Sequence, residues 1–138
     1  KRQPFDISTC AFPNDTTDLN DDDLQNGSNA GDQLGAKKQN RAQGVHINDD
    51  GTKLFVAMAD TSGTLGASPD RILEYNFSTP FDLSTISLVL NAGIEIPHAT
   101  AQNIMNLEFS ANGKRLFVTS HNTSTVVQIS LNKPYDTS

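Results

Sequence analysis

The residues best suited to bind a ligand form an acidic segment that is followed by a short basic one. Oxygen ligands at alternate positions suit Ca²⁺, and Asp18, Asn20 and Asp22 have that spacing. The segment departs from the standard twelve-residue calcium loop, because its sixth position is Asp23 instead of glycine and its twelfth is Asn29 instead of glutamate. A solvated acidic loop that pairs with the basic stretch is the alternative. The charged residues of the segment are Asp15, Asp18, Asp21, Asp22, Asp23, Asp32, Lys37, Lys38 and Arg41.

Histidine and cysteine offer few further sites. His46, His98 and His121 could hold a metal together, but their spacing does not favour this over ordinary core or surface histidines. The single cysteine, Cys10, excludes an internal disulfide and a cysteine-based zinc site. The sequence contains neither a Gly-x-Ser-x-Gly elbow nor a glycine-rich phosphate loop. It therefore identifies no catalytic residue.

Composition excludes several classes of partner. The chain has 138 residues, with 16 acidic and 10 basic ones and a formal net charge of -6. This balance argues against nonspecific binding to nucleic acid and against docking on anionic lipid. No run of eighteen apolar residues is present, so no membrane-spanning helix is predicted. No signal peptide is recognised, and we interpret Lys1 as an internal or processed terminus.

An internal repeat is the most informative feature of the sequence. Residues 48–59 (NDDGTKLFVAMA) align with residues 110–121 (SANGKRLFVTSH), an offset of 62. Residues 74–82 (EYNFSTPFD) align with residues 128–136 (QISLNKPYD), an offset of 54. The phrase Pro-aromatic-Asp occurs three times, and the first copy begins at Pro4. A phrase that recurs at such intervals is typical of a repeat architecture.

The local pattern predicts four short antiparallel strands per repeat, which we call a, b, c and d. Alternation of apolar and polar residues predicts strand a, and an Asp-Gly or Asn-Gly turn leads into strand b. Strand c follows, with Leu73, Tyr75 and Phe77 on one face, and ends before a proline. Residues 87–91 form strand d of the first repeat. Sheets of four antiparallel strands repeated at this interval indicate β-propeller blades, with a β-sandwich as the alternative fold.

Residues 113–131 (GKRLFVTSHNTSTVVQISL) resemble the YVTN-type repeat of surface-layer and lactonase-like propellers. Residues 44–90 resemble the same theme in the longer form found in secreted bacterial and phage-associated proteins. The resemblance covers about two thirds of the chain and implies an all-β fold of about two propeller blades. It carries over no functional residue, because the likeness is confined to the repeat core.

The repeat divides the chain into three parts. Residues 1–42 hold an orphan strand d and the long charged loop, residues 43–91 hold one blade, and residues 92–138 hold strands a to c of another. Closed propellers have four to eight blades, so this count does not close a ring. Three explanations stay open: a segment of a longer polypeptide, completion of the ring by further copies, or residues 7–12 folding back to complete the last blade.

Function is expected in the loops, because binding residues concentrate on loops that a rigid scaffold positions. The connections between strands d and a, and between b and c, differ in length between repeats and share one end of a blade. We therefore expect a non-enzymatic binding or structural module of an extracellular, cell-surface or virion-surface protein, with a protein or glycan ligand. The candidate binding residues are Asp15, Asp18, Asp21, Asp22, Asp23, Lys37, Lys38, Arg41, Arg71, His98 and His121.

Three alternatives to loop binding stay open. A lactonase-like enzyme would hold a metal in the central channel, beside His46. A purely architectural segment would carry its contacts on the blade flanks. The added loop length could also be neutral insertion. Four Asn-x-Ser/Thr sequons add glycosylation candidates at Asn14, Asn26, Asn76 and Asn122, a number close to chance for this composition.

Overall fold

The computed structural model describes residues 40–60, 69–97 and 100–138. These residues form seven antiparallel strands and one 3-10 turn, and they contain no α-helix. Within them, no helix has the length and apolar character needed to cross a bilayer. The all-β class predicted from the sequence is confirmed. The strands are β1 (Asn40–Ile47), β2 (Lys53–Asp60), β3 (Asp70–Phe77), β4 (Ile86–Ile96), β5 (Ile104–Phe109), β6 (Arg115–Ser120) and β7 (Thr125–Ser130), with the 3-10 turn at Leu83–Thr85.

The strands form two sheets, each in simple sequence order. The first sheet is β1-β2-β3-β4 and the second is β5-β6-β7. In the described part of the chain, β7 pairs only with β6. Several strands are longer than predicted: β1 begins at Asn40, β2 ends at Asp60 instead of Met58, β3 begins at Asp70 instead of Ile72, and β4 runs to Ile96 instead of ending at Asn91. β4 is longer because residues 89–92 bulge out of the ladder and pairing with β3 resumes at Gly93.

The two sheets repeat the same pairing residue for residue. Lys53 pairs with Asn76 across β2 and β3, and Arg115, at the equivalent position, pairs with Ser130 across β6 and β7. The β-bulge repeats too, since register shifts between Ala42 and Gly44 in β1 and at the equivalent place in β5. The sequence repeat is therefore a structural repeat over three strands, and the offsets of 62 and 54 give equivalent positions directly.

The tight turns repeat with the same geometry. Gly51 and Gly113 have positive φ angles of 72° and 66°, which favour glycine. The ring of Phe81 lies against Gly51, and the Phe81 amide donates to the Gly51 carbonyl at 3.0 Å. Tyr135 contacts Gly113 in the same way, with its amide 2.9 Å from the Gly113 carbonyl. The aromatic residue of the Pro-aromatic-Asp phrase thus joins the turn after strand c to the turn before strand b.

The two sheets pack in the same orientation, front to back. We call the side of the first sheet that bears Leu54 and Val56 its front, and the side that bears Phe55 and Ala57 its back. The front of the second sheet bears the equivalent Leu116 and Val118. A shared core forms where the back of the first sheet meets the front of the second. The main members of this core are Phe55, Ala57, Ala59, Ile72, Ile96, Ile104, Leu107, Phe109, Leu116 and Val118.

A second core lies on the front of the first sheet. Its buried members are Leu54, Val56, Met58, Leu73, Tyr75 and Phe77. The prediction that Leu73, Tyr75 and Phe77 share a face is confirmed. Many antiparallel sheets bury one face and leave the other in contact with water. The first sheet instead buries apolar side chains on both faces, as does a sheet that lies between two layers.

The first strands of the two sheets, β1 and β5, approach closely at Gly44. A Cβ at this position would lie 2.8 Å from the Cα and the Oδ1 of Asn106 and 3.1 Å from the carbonyl oxygen of Met105. Such distances exclude any side chain without movement of the Asn106 backbone. Gly44 therefore sets how closely β1 packs against β5.

Candidate functional site

The most developed polar site of the described residues lies between the two sheets, around Glu74 of β3. Glu74 is buried, with 2% of its surface exposed. Its Oε2 accepts hydrogen bonds from the backbone amide of Thr137 at 3.0 Å and from the Thr137 hydroxyl at 2.7 Å. The Thr137 carbonyl accepts from the amide of Gly93 at 3.3 Å, at the end of the β4 bulge. The turn after β7 is thus held by two strands of the first sheet.

Lys53 completes this site. Its Nζ lies 2.5 Å from Oε1 of Glu74 and donates to the carbonyl oxygen of Tyr135 at 2.7 Å. A buried carboxylate needs both a counter-charge and hydrogen bonds to offset the loss of water. Glu74 receives both, because Lys53 supplies the charge and Thr137 supplies the donors.

Tyr135 packs its ring against residues of both sheets. Its ring centroid lies 5.1 Å from that of Phe109, 6.2 Å from His46 and 6.4 Å from Phe55. Burial, followed by the negative charges of Asp49, Glu108 and Asp50, raises the pKa of the Tyr135 phenol. The phenol therefore stays neutral in this aromatic cluster under ordinary conditions.

Asp136 fixes the shape of the same turn from the outside. Its Oδ1 accepts from the hydroxyl of Ser138 at 2.5 Å and from the Ser138 amide at 3.0 Å. These two bonds, the hydroxyl first, lower the pKa of the Asp136 carboxyl to about 2. Asp82 makes the same pair of bonds to Ser84 in the first repeat, at 2.7 Å and 3.0 Å. The aspartate of the Pro-aromatic-Asp phrase thus stabilises both turns by accepting hydrogen bonds from the serine two positions later, an interaction typical of aspartate in turns.

A second polar link joins the sheets at the start of β3. Asp70 is fully buried at the start of β3, and its Oδ2 accepts from the amide of Ile104 at 2.9 Å. This bond holds the start of β5 and gives the buried amide of Ile104 a hydrogen-bond partner. Asp70 and Glu74 therefore hold the second sheet from the start and from the middle of one strand, β3.

Two of the connections predicted to form the binding face, those before β5 and between β6 and β7, contact each other. The segment before β5 contacts the turn between β6 and β7, where the Gln102 amide donates to Oγ of Ser120 at 2.9 Å. The amide of His121 donates to the carbonyl of Asn103 at 3.0 Å. His121 and Asn122 are exposed in this turn, and Nδ1 of His121 lies 3.0 Å from Oδ1 of Asn122. The structure thus brings the d–a and b–c connections of the second repeat into contact.

Most of the predicted ligand residues lie outside the described residues. These are Asn14, Asp15, Asp18, Asn20, Asp21, Asp22, Asp23, Asn26, Lys37, Lys38 and His98. The calcium prediction stays a prediction for the same reason. Within residues 40–60, 69–97 and 100–138, no three His, Cys, Asp or Glu side chains are grouped to hold a metal ion.

Two arginines of the predicted binding set lie in strands and not in loops. Arg41 belongs to β1, opposite Ala59 of β2. Arg71 belongs to β3, is 5% exposed, and its Nη2 lies 2.9 Å from Oε1 of Glu95. Their assignment to the long connections fails because strands β1 and β3 begin earlier than the apolar pattern indicates. Asn76, a sequon residue, is exposed on β3.

His46 lies on the back of the first sheet, against the second. Its ring centroid is 5.0 Å from that of Phe109, and its Nδ1 lies 3.4 Å from Oε2 of Glu108. Its described neighbours are therefore mainly aromatic. The sequence placed His46 correctly in strand a, and its position in a propeller channel stays a prediction.

Sequence reasoning missed the residues that join the sheets: Lys53, Asp70, Glu74 and Thr137. One signal could have found Glu74. It lies between Leu73 and Tyr75 in a strand with apolar residues on both faces, where a carboxylate needs a partner. Nothing local in the sequence indicates that its partner is Thr137, 63 positions away. In comparisons with protein-family models, curated proteins and solved structures, no match to this chain was found.

Proposed function

We propose that this chain is a non-enzymatic binding and structural module whose two sheets are consecutive blades of a β-propeller. One observation carries the proposal: equivalent faces of the two repeats point the same way, so that the back of the first packs on the front of the second. Successive propeller blades are related in this way. In a sandwich of two repeats, by contrast, the equivalent faces of the two sheets are turned toward each other.

The ligand face of such a module would be the end of the strands at which the connections before β5 and between β6 and β7 meet. The Asp70 link and the Ser120 hydrogen bonds hold these connections on a rigid sheet pair. A rigid scaffold under variable loops is the usual basis of recognition. An extracellular or surface location and a protein or glycan ligand belong to this proposal.

Two measurements test the proposal. A crystal structure of the protein should show front-to-back sheets, and a sandwich with facing equivalent sides would overturn the propeller. The purified protein should bind an immobilised glycan array or a panel of extracellular proteins, and replacement of the exposed turn residues His121 and Asn122 by alanine should weaken that binding. Unchanged binding by this variant contradicts the loop-face assignment.

The lactonase-like alternative has its own readout. Metal content of the protein as purified, measured by mass spectrometry, is combined with hydrolysis of simple aliphatic lactones. Turnover that disappears on chelation and returns with the metal would overturn the non-enzymatic proposal. Turnover at the buffer rate, whatever the metal content, supports it.

A further inference from the structure

Equivalent positions of the two repeats differ sharply in exposure on the back of the sheets. Ile72, on the back of the first sheet, is fully buried against the second sheet, whereas Val126, its equivalent on the back of the second sheet, is 69% exposed. Val126 thus occupies, in the second repeat, the position that packs against a neighbouring sheet in the first repeat.

The front of the first repeat shows the reverse difference. Leu107, on the front of the second sheet, is 2% exposed, whereas its equivalent Val45 is 60% exposed. Tyr135 is partly buried in the aromatic cluster between the sheets, whereas its equivalent Phe81 is 61% exposed. The Phe81 ring contacts Gly51 as Tyr135 contacts Gly113, but it lacks the further contacts that the first sheet gives to Tyr135 among the described residues.

The polar residues of the first sheet that bind the turn after β7 have equivalents on the back of the second sheet. Lys53 and Glu74 bind the turn after β7, and their equivalents in the second sheet are Arg115 and Gln128. Arginine can donate to a turn carbonyl as Lys53 does, and a glutamine oxygen can accept a turn amide as Glu74 does. Phe117 replaces Phe55, and it lies between Glu108 and Gln128 in the ladder. We call these residues, with Val126, the open back: Glu108, Arg115, Phe117, Val126 and Gln128.

We propose that the open back binds the Phe81 turn and Val45 of a second copy of this chain, so that copies join head to tail. This inference rests on the proposed propeller packing and names its partner. The contact is confined to the turn and Val45, because Leu54 and Val56 on the same front are already buried. It joins two different surfaces, so each added copy presents a new open back, and the chain of contacts ends only when a ring closes.

Sedimentation velocity and light scattering of the intact protein test the proposal. A contact of this limited size is weak, so mass should rise with concentration between about 10 µM and about 1 mM. Val126→Glu removes the receiving surface, and Val45→Glu removes the inserted one; both residues are exposed, so neither substitution disturbs the core. Met105→Glu is the matched control. Met105 is also exposed, at 41%, but neither Met105 nor its equivalent in the first repeat, Gln43, belongs to the two proposed contact surfaces.

Each single variant should remain a 14.9 kDa monomer, and the Met105→Glu protein should associate like the parent. An equimolar mixture of the Val45→Glu and Val126→Glu proteins should form dimers of twice that mass and nothing larger, because one intact surface of each kind remains. Parent protein that stays monomeric to about 1 mM overturns the proposal. So does a mixture that remains monomeric. A monomer whose crystal structure shows front-to-back sheets leaves the proposed function standing, whereas facing equivalent sides overturn both.

Discussion

The carboxylate of Glu74 binds both the backbone amide and the hydroxyl of Thr137, at 3.0 Å and 2.7 Å, across the contact between the two sheets. Lys53 balances the charge of the carboxylate and holds the neighbouring carbonyl of Tyr135. Glu74 and Lys53 together thus bind three polar groups of the turn after β7. This contact fixes the register between the repeats, because apolar packing alone has no directional preference.

Substitution of the Glu74 site should lower stability in graded steps. Thr137→Val removes one hydrogen bond to a charged group and should lower the free energy of unfolding by about 1–2 kcal/mol. Glu74→Ala leaves Lys53 without its counter-charge and should cost about 2–3 kcal/mol, less than for a fully buried pair because the Lys53 side chain is 27% exposed. Urea unfolding measures both. Lys133→Ala, which removes an exposed ion pair with Asp136, is the control and should change stability by less than about 0.5 kcal/mol.

The two aromatic turn residues should respond differently to the same substitution. Tyr135→Ala removes contacts to both sheets and should destabilise the protein by about 3–4 kcal/mol. Phe81→Ala removes mainly the contact with Gly51 from a ring that is 61% exposed, and should cost about 1 kcal/mol. Thermal unfolding of the two variants side by side measures the difference. Equal losses would contradict the view that only Tyr135 bridges the sheets.

Gly44→Ala should loosen the contact between β1 and β5. The added methyl group would lie 2.8 Å from the Cα of Asn106, so backbone must move, at a cost of about 1–3 kcal/mol. Hydrogen exchange should increase at the amides of β1 and β5 that lie near Gly44 before it increases at the amides of β6. Val45→Ala, at an exposed neighbouring position, should cost less than about 1 kcal/mol. A Gly44→Ala protein of unchanged stability would show that the strands separate freely.

The Asp136 turn should depend on acid in a defined range. The folded carboxyl has a pKa of about 2, below the ordinary value of 3.8, so its charged form favours the folded turn. The stabilisation is fully present above about pH 4 and is lost as the pH falls through about 2. Carbon chemical shifts of the Asp136 carboxyl measure the titration. Ser138→Ala removes the hydroxyl that lowers the pKa most and should move the midpoint toward 3.8; a parent midpoint already at 3.8 would contradict the turn geometry.

Prediction from sequence succeeded where the signals are local. Each strand of the repeat lies where alternation of apolar residues placed it, within a few residues, and Gly51 and Gly113 mark the turns. The end of β4 was missed because a bulge of residues 89–92 interrupts the pattern that defines a strand. Arg41 and Arg71 were assigned to loops because charged residues at strand ends look like connection residues until their partners are known.

The amino-acid sequence by itself determined the repeat, because glycine, proline and aspartate impose the same turns wherever the phrase recurs. It also determined the pairing order, since short connections join neighbouring antiparallel strands. Only the tertiary structure decided which side of each sheet is buried against the other. That choice depends on the fit of distant surfaces, and it turns Lys53, Asp70, Glu74 and Thr137 from ordinary polar residues into the links between two repeats. The same fit leaves Phe81 and Val126 exposed at positions where their equivalents are partly or fully buried.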